Sequence, residues 1–338
     1  MRCLALVEGL LPYATDVHFV CRKLPGDLCR LIERKGFRCT LLPVDPVPEA
    51  QLPVEQAGAD PPLDQAIDAR QTASQTGAVD WLIVDHYEID HRWELAMRST
   101  CSRLLVIDDL AKRSHDCDIL LDQTYGRQAE QYGSLVGKQC NILAGTGYAL
   151  LRPEFAEKRT AVLARRSQVD GIGSVLISMG GSDPSNRSLD ALRVIAGTTG
   201  SETLDVTVIT GPQYAGNNAS LRLMGDRFDR LDLKHDVPNM AELMAASDLA
   251  IGAAGTTSWE RCCLGLPALV YVCADNQREV ARRLEAAGAI RCWRSGAELQ
   301  EEFEIMTNDA SLYQSAVAAS SGICDGLGVE RVTAAMRS

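Results

Sequence analysis

Two glycine-containing turns in this chain have residue types suited to holding an anion. In SVLISMGGSDPSN an apolar run ends in Gly180-Gly181, and Ser182, Asp183, Pro184 and Asn186 follow. Glycines after a strand let the backbone approach a ligand closely, and the next helix offers free N–H groups to phosphate. The same residues also describe a tight turn, with Ser182 or Asp183 capping a helix and Pro184 at its first position. In DLAIGAAGTTSWERCCLGLP, Gly255, Thr256 and Thr257 open a helical segment whose amides and two hydroxyls could grip a diphosphate. Glu260, one turn on, could accept both hydroxyls of a ribose. The structural alternative is a Thr-capped helix with Glu260 completing a capping box three residues after Thr257. Two such turns, each at the carboxyl end of a strand-like run, point to a nucleotide crevice.

A second group lies earlier in the chain. In VDHYEIDHRWE an apolar run leads out into Asp85, His86 and Tyr87. His86 and His91 are five apart and share no helical face, so they do not suggest a metal site, and a solvated loop explains the cluster as well. The segment LLVIDDLAKRSHDCDILLDQTYGR adds Asp108, Asp109, His115 and Asp122, read as strand ends with caps and salt bridges. In VCADNQREVARRL, Asn276 and Gln277 sit between a strand and a helix, with an N-cap as the simpler role for Asn276. Arg278, Arg282 and Arg283 read as a solvated helix face. No phosphate-binding GxxxxGK[ST], HExxH or GxSxG pattern is present, and neither metal nor cofactor is expected.

These residues need a scaffold, and the hydrophobic pattern supplies one. Short β-like runs at 17–21, 38–42, 81–85, 104–108 and 119–123 form a first block, and runs at 174–179, 204–210, 231–235, 248–253, 267–272 and 289–293 form a second. Helical patterns separate them, among them DLCRLIERKGF, which stops at Gly36. This alternation predicts an α/β protein of two Rossmann-like domains, residues 1–155 and 170–338, with mainly parallel sheets facing across a cleft, the GT-B arrangement. The charged stretch 151–171 reads as their connection, 44–62 as a loop, and the region after residue 300 as helical without identifiable chemistry. The chain has 338 residues, 46% hydrophobic and 23% charged, enough for two cores. A net charge of −11 argues against a nucleic-acid surface, and no apolar run is long enough for a membrane span. The twelve cysteines are scattered without a CxxC pair, which suits reduced thiols and a cytoplasmic location.

Taken together, VDHYEIDHRWE, VIDDLAKRSHDCDILLDQTYGR, YALLRPEF, MGGSDPSN and GTTSWERCCLGLP followed by ADNQ resemble the PseG family from Met1 to about residue 300. These are UDP-2,4-diacetamido-2,4,6-trideoxy-β-L-altropyranose hydrolases of pseudaminic acid biosynthesis, similar in fold to MurG. The resemblance implies metal-independent attack of water on the anomeric carbon, inversion there and loss of UDP, with flagellin or surface polysaccharide as the destination of the product. It places UDP in the second domain, with Glu260 on the ribose and Gly255, Thr256 and Thr257 on the diphosphate beside Gly180, Gly181 and Ser182. Asn276 and Gln277 would face the sugar, and Tyr87 would approach from the first domain.

In that family the counterpart of MRCLALVEGL follows a strand and a glycine-rich turn ending in Gly-His, whose histidine is the general base. None of the five histidines here, at 18, 86, 91, 115 and 235, matches that position. The expectation is therefore a start codon upstream of Met1, with negligible hydrolysis from the 338 residues alone. Two other functions stay open: a GT-B glycosyltransferase that uses a UDP-amino sugar and an acceptor, and a nucleotide-sugar binder without catalysis.

Overall fold

The computed structural model describes residues 1–14, 16–24, 27–43, 63–214 and 216–338, and the side chain of Asn276 is not among the described groups. The expected loop at 44–62 thus lies outside the described residues. The chain divides into two units: Met1–Gln123 with Arg127–Tyr148 and Val332–Ser338, and Thr124–Gly126 with Ala149–Arg331.

The first unit runs α1 (Arg2–Leu10), β1 (His18–Arg22), α2 (Cys29–Arg34), β2 (Arg38–Leu42), α3 (Gln65–Thr76), β3 (Val79–Asp85), α4 (His91–Met97), β4 (Cys101–Ile107), β5 (Ile119–Asp122) and β6 (Asn141–Ala144). All pairings are parallel, but they form two pieces, β1-β2 and β3-β4-β5-β6. A doubly wound sheet of order 3-2-1-4-5-6 places its first strand between the second and the fourth. Here the pieces β2-β1 and β3-β4-β5-β6 share no strand pairing among the described residues. Val84, Trp93, Met97, Leu104, Val106 and Leu120 build the core of the larger piece. The first unit also takes in residues 332–338, where the Arg337 guanidinium lies 3.8 Å over the Tyr13 ring.

The second unit runs α5 (Pro153–Arg166), β7 (Ser174–Ser178), α6 (Arg187–Ala196), β8 (Asp205–Thr210), α7 (Asn218–Arg222), β9 (Arg230–His235), α8 (Met240–Ala246), β10 (Leu249–Ala253), α9 (Thr257–Cys263), β11 (Ala268–Tyr271), α10 (Arg278–Ala286), β12 (Ile290–Cys292), α11 (Gly296–Asn308), α12 (Ala310–Ser321) and α13 (Gly328–Arg337), whose last turns count with the first unit. Its six strands are parallel in the order β12-β11-β10-β7-β8-β9, the complete doubly wound arrangement. Successive side chains alternate between faces. Leu176 and Ala250 join one core with Phe155, Met244, Trp259 and Leu284, while Val175, Ile177 and Ile251 join the other with Leu192, Phe303 and Val317.

Residues 151–171, expected to connect the domains, hold α5, which begins on Pro153 and buries Phe155, Val162 and Arg166. Its many charges hide an apolar stripe in the sequence. Truncating Phe155 to Ala would cost about 3–5 kcal/mol, the usual figure for a buried aromatic ring. No helix among the described residues is long and apolar enough to cross a membrane.

Candidate functional site

In the second unit the sheet order reverses between β7 and β10, the neighbouring strands that lead into Gly180-Gly181 and Gly255. Ligands of open α/β sheets bind outside the carboxyl ends of the strands at such a reversal. The topology thus puts the two candidate turns side by side at the place where the fold binds ligands.

Close backbone packing shapes both turns. A Cβ on Gly211 would lie 2.3 Å from the Gly181 carbonyl oxygen and 2.5 Å from that of Gly180, so the turn after β7 rests directly on the end of β8. The Gln213 N–H donates to the Gly181 oxygen at 3.0 Å, and Gly180 adopts φ +90. Among the described residues no hydrogen bond uses the N–H groups of Gly180, Gly181 or Ser182. The start of α6 is already satisfied, because the Asp183 carboxylate accepts from the N–H groups of Arg187 at 2.7 Å and Ser188 at 2.9 Å. The helix begins later than expected, at Arg187 with Asn186 in the N-cap position, so Pro184 is not its first residue and Asp183 reaches its amides from outside it. Asp183 removes the α6 amides from any ligand but leaves the glycine turn free. Asn186 is engaged too, its Oδ1 accepting from the Tyr214 hydroxyl at 2.5 Å.

At the second turn the capping alternative is not what the structure shows. Thr256, which precedes α9, makes no side-chain capping hydrogen bond. Glu260 does not fold back to complete a capping box. Its carboxylate lies 3.8 Å from Arg152 Nη2, and Arg152 is held by the Pro238 carbonyl at 2.8 Å and by Glu154 at 2.9 Å. Burial pushes the Glu260 carboxyl up to about 7, against the opposing pull of Arg152 and Arg261. A partly desolvated carboxylate with spare acceptor sites suits a neutral donor pair such as vicinal hydroxyls. The Gln277 side chain accepts from the Cys273 N–H at 3.0 Å and so fixes the turn after β11. Asn276 sits in that turn, its side chain outside the described groups.

In the first unit the strand ends are closed by their own arginines. Asp85, at the end of β3, is held by Arg2 at 2.6 and 3.0 Å, and Arg2 also reaches Asp109 at 2.9 Å. Burial alone would raise the Asp85 carboxyl, but Arg2 outweighs it and holds it below the ordinary carboxylate value. Asp108 pairs with Arg113 at 2.6 Å and Asp122 pairs with Arg127. Arg113 also donates to the carbonyls of His86, Tyr87 and Ile89, which pins the turn carrying the candidate residues. His86 Nδ1 accepts from the Glu88 N–H at 3.1 Å. The Tyr87 ring is 48% exposed, its hydroxyl 3.3 Å from Asp109, and burial and Asp109 raise its pKa. Buried His115 pairs with Glu94 at 2.7 Å.

Sequence reasoning missed Arg152, which faces Glu260, and Arg261, which underlies the second turn. Only the motif YALLRPEF drew attention to Arg152, and nothing in the pattern marked Arg261.

Comparison with known proteins agrees with this topology. The model of the glycosyltransferase family 28 C-terminal domain matches residues 175–319. A UDP-2,4-diacetamido-2,4,6-trideoxy-beta-L-altropyranose hydrolase of Campylobacter jejuni is 31% identical over 210 residues, 61% of this chain and 71% of that protein. An uncharacterized protein of Methanocaldococcus jannaschii is 28% identical over 205 residues, which is 59% of this chain but only 42% of that protein's length. The spore coat polysaccharide biosynthesis protein SpsG of Bacillus subtilis is 25% identical over 58% of each chain. Among solved structures, Acinetobacter baumannii MurG superposes with a TM-score of 0.64 at 14% identity, covering 99% of this chain and 95% of MurG. The UDP-GlcNAc 2-epimerase of Neisseria meningitidis gives 0.60 at 12% identity, covering 99% and 96%. The chain belongs to the MurG-like superfamily of the GT-B fold, the nucleotide-sugar proteins that carry a glycosyltransferase family 28 C-terminal domain.

Proposed function

We propose that the chain is a nucleotide-sugar hydrolase of the PseG type, releasing UDP from a UDP-2,4-diacetamido-2,4,6-trideoxyhexose with inversion at the anomeric carbon, in pseudaminic acid biosynthesis. The observation that carries this is the pairing of Gly180–Ser182 and Gly255–Thr257 across the sheet reversal, with Glu260 one helical turn away. In this scheme the free amides of the first turn and the hydroxyls of the second meet the diphosphate. They stabilise the charge that develops as UDP departs, which needs preorganised donors more than covalent chemistry. Glu260 accepts the ribose hydroxyls, and ionised carboxylate is the better acceptor, so nucleotide binding draws its pKa down from about 7. Contact of Asp85, His86, Tyr87, Asn276 and Gln277 with the sugar belongs to the same proposal, as does a cytoplasmic location with the cysteines as free thiols. The PseG resemblance assigns proton removal from water to a histidine on a glycine-rich turn, a position that none of the five histidines here matches.

The test is a UDP-release assay with the diacetamido sugar nucleotide, run on the 338-residue chain and on a chain extended N-terminally by an apolar strand and a Gly-x-Gly-His turn. Free sugar plus UDP from the extended chain, and little from the shorter one, is the expected result. UDP appearing only when an acceptor is added would instead favour a glycosyltransferase, the reading to which the family 28 domain lends direct support. UDP binding with no turnover from either chain would leave a binder.

A further inference from the structure

The second unit buries two arginines in different ways. Arg166 is 0% exposed and spends each nitrogen on a carbonyl: Nε on Leu264 at 2.8 Å, Nη1 on Ser247 at 2.6 Å and Nη2 on Met244 at 2.8 Å. It is a satisfied structural group. Arg261 is 4% exposed, and its Nη2 donates to the Ala253 carbonyl at 2.9 Å and the Ser258 hydroxyl at 3.0 Å. Its Nε is buried with no partner, and no carboxylate lies within salt-bridge distance among the described residues. Glu260, the adjacent acid, is directed to Arg152 instead.

The local sequence accommodates this guanidinium at a cost. A Cβ at Gly252 would fall 2.7 Å from Arg261 Nη1, so the strand gives up a side chain there. A buried cation without an anion is strongly unfavourable, and an apolar side chain of similar volume would serve the core better. The two hydrogen bonds of Nη2 bracket Ala254–Thr257, one at the end of β10 and one inside α9. An anion resting on that turn would lie over the segment that Nη2 ties together.

We propose that Arg261 is a positioning residue for the diphosphate of the bound nucleotide, clamping the Gly255–Thr257 turn from beneath and supplying the buried counter-charge to the ligand. This rests on the nucleotide reading of the site. The bound diphosphate supplies the anion that the buried guanidinium lacks, so Arg261 contributes to UDP and not to the uridine part of it.

Calorimetric titration of the full chain with UDP, uridine and inorganic pyrophosphate, for wild type, Arg261→Gln and Arg261→Lys, separates the possibilities. Removing one charge at this depth should weaken UDP and pyrophosphate about 10- to 100-fold and leave uridine unchanged. Lysine keeps the cation but not the double clamp, so it should recover part of the loss, and it carries the test alone if the glutamine variant fails to fold. An unchanged ratio of UDP to uridine affinity, or an equal loss for both, would overturn the role of Arg261 while leaving the nucleotide site standing. Pyrophosphate binding that depends on Arg261, with no binding of uridine or UDP, would keep the inference and sink the nucleotide reading. A wild-type chain that binds none of the three would sink both.

Discussion

At the ends of β3, β4 and β5 the first unit gathers Asp85, Asp108, Asp109 and Asp122, and Arg2, Arg113 and Arg127 answer them within the same unit. At the ends of β7 and β10 the second unit places glycines, hydroxyls and amides, with one buried guanidinium, Arg261, that has no carboxylate at salt-bridge distance among the described residues. Both are strand ends of parallel sheets, where polar residues are commonly taken as functional. A strand end that has neutralised itself is held in place by its own ion pairs. One that keeps free donors and a cation without a salt-bridge partner is where the proposed anion would sit.

The contrast can be broken by substitution, most severely in the first unit. Arg127→Met leaves buried Asp122 without its cation and should cost about 3–5 kcal/mol, read as an earlier urea transition. A loss under about 1 kcal/mol would show that the acid cluster is not held by charge pairing.

A smaller effect is expected from Glu260. Its carboxyl keeps a proton to about 7 when folded but has a reference value of 4.5, so the folded state binds the extra proton. The Glu260 contribution to stability is then greatest below pH 4.5, falls as pH rises toward 7 and is level beyond, a total of about 3 kcal/mol. Glu260→Gln should flatten that slope in thermal unfolding, and an unaltered slope would contradict the assignment.

Gly252→Ala should cost about 1–3 kcal/mol from overpacking against the Ser178 carbonyl and Arg261. The same substitution at the more open Gly255, where nothing lies within 4 Å of an added Cβ, provides the control. The smallest change in stability belongs to Thr256→Ala, within about 0.5 kcal/mol because the hydroxyl caps nothing. Its UDP affinity should nevertheless fall several-fold, and unchanged affinity would remove Thr256 from the site.

The strands were legible because parallel strands buried on both faces read as continuous apolar runs, as in SVLIS and DLAIGA. β6 escaped because NILA is only four residues long and follows the polar stretch GKQC. α5 escaped because a charge-rich surface masks Phe155 and Val162, and because Arg166, a charged residue, is buried through carbonyl hydrogen bonds that no pattern announces. The two turns were readable from glycine and threonine after apolar runs, but the start of α6 was placed too early, because Asp183 caps it from three residues before its N-cap Asn186. Their adjacency required the sheet order, which no local pattern contains. The pairing of Glu260 with Arg152 and the place of Arg261 depend on side chains brought together across the fold.

The contact of Arg337 with Tyr13 bears on how the molecule is made. Residues 332–338 belong to the first unit, although the whole second unit is translated before them. A ribosome adding about 5–20 residues per second needs about 10–40 s to pass from residue 148 to residue 332. During that interval β7 can meet β8 and later β10, so the second unit is able to close its sheet on the ribosome. The unit that emerges first is therefore the last to receive all of its residues.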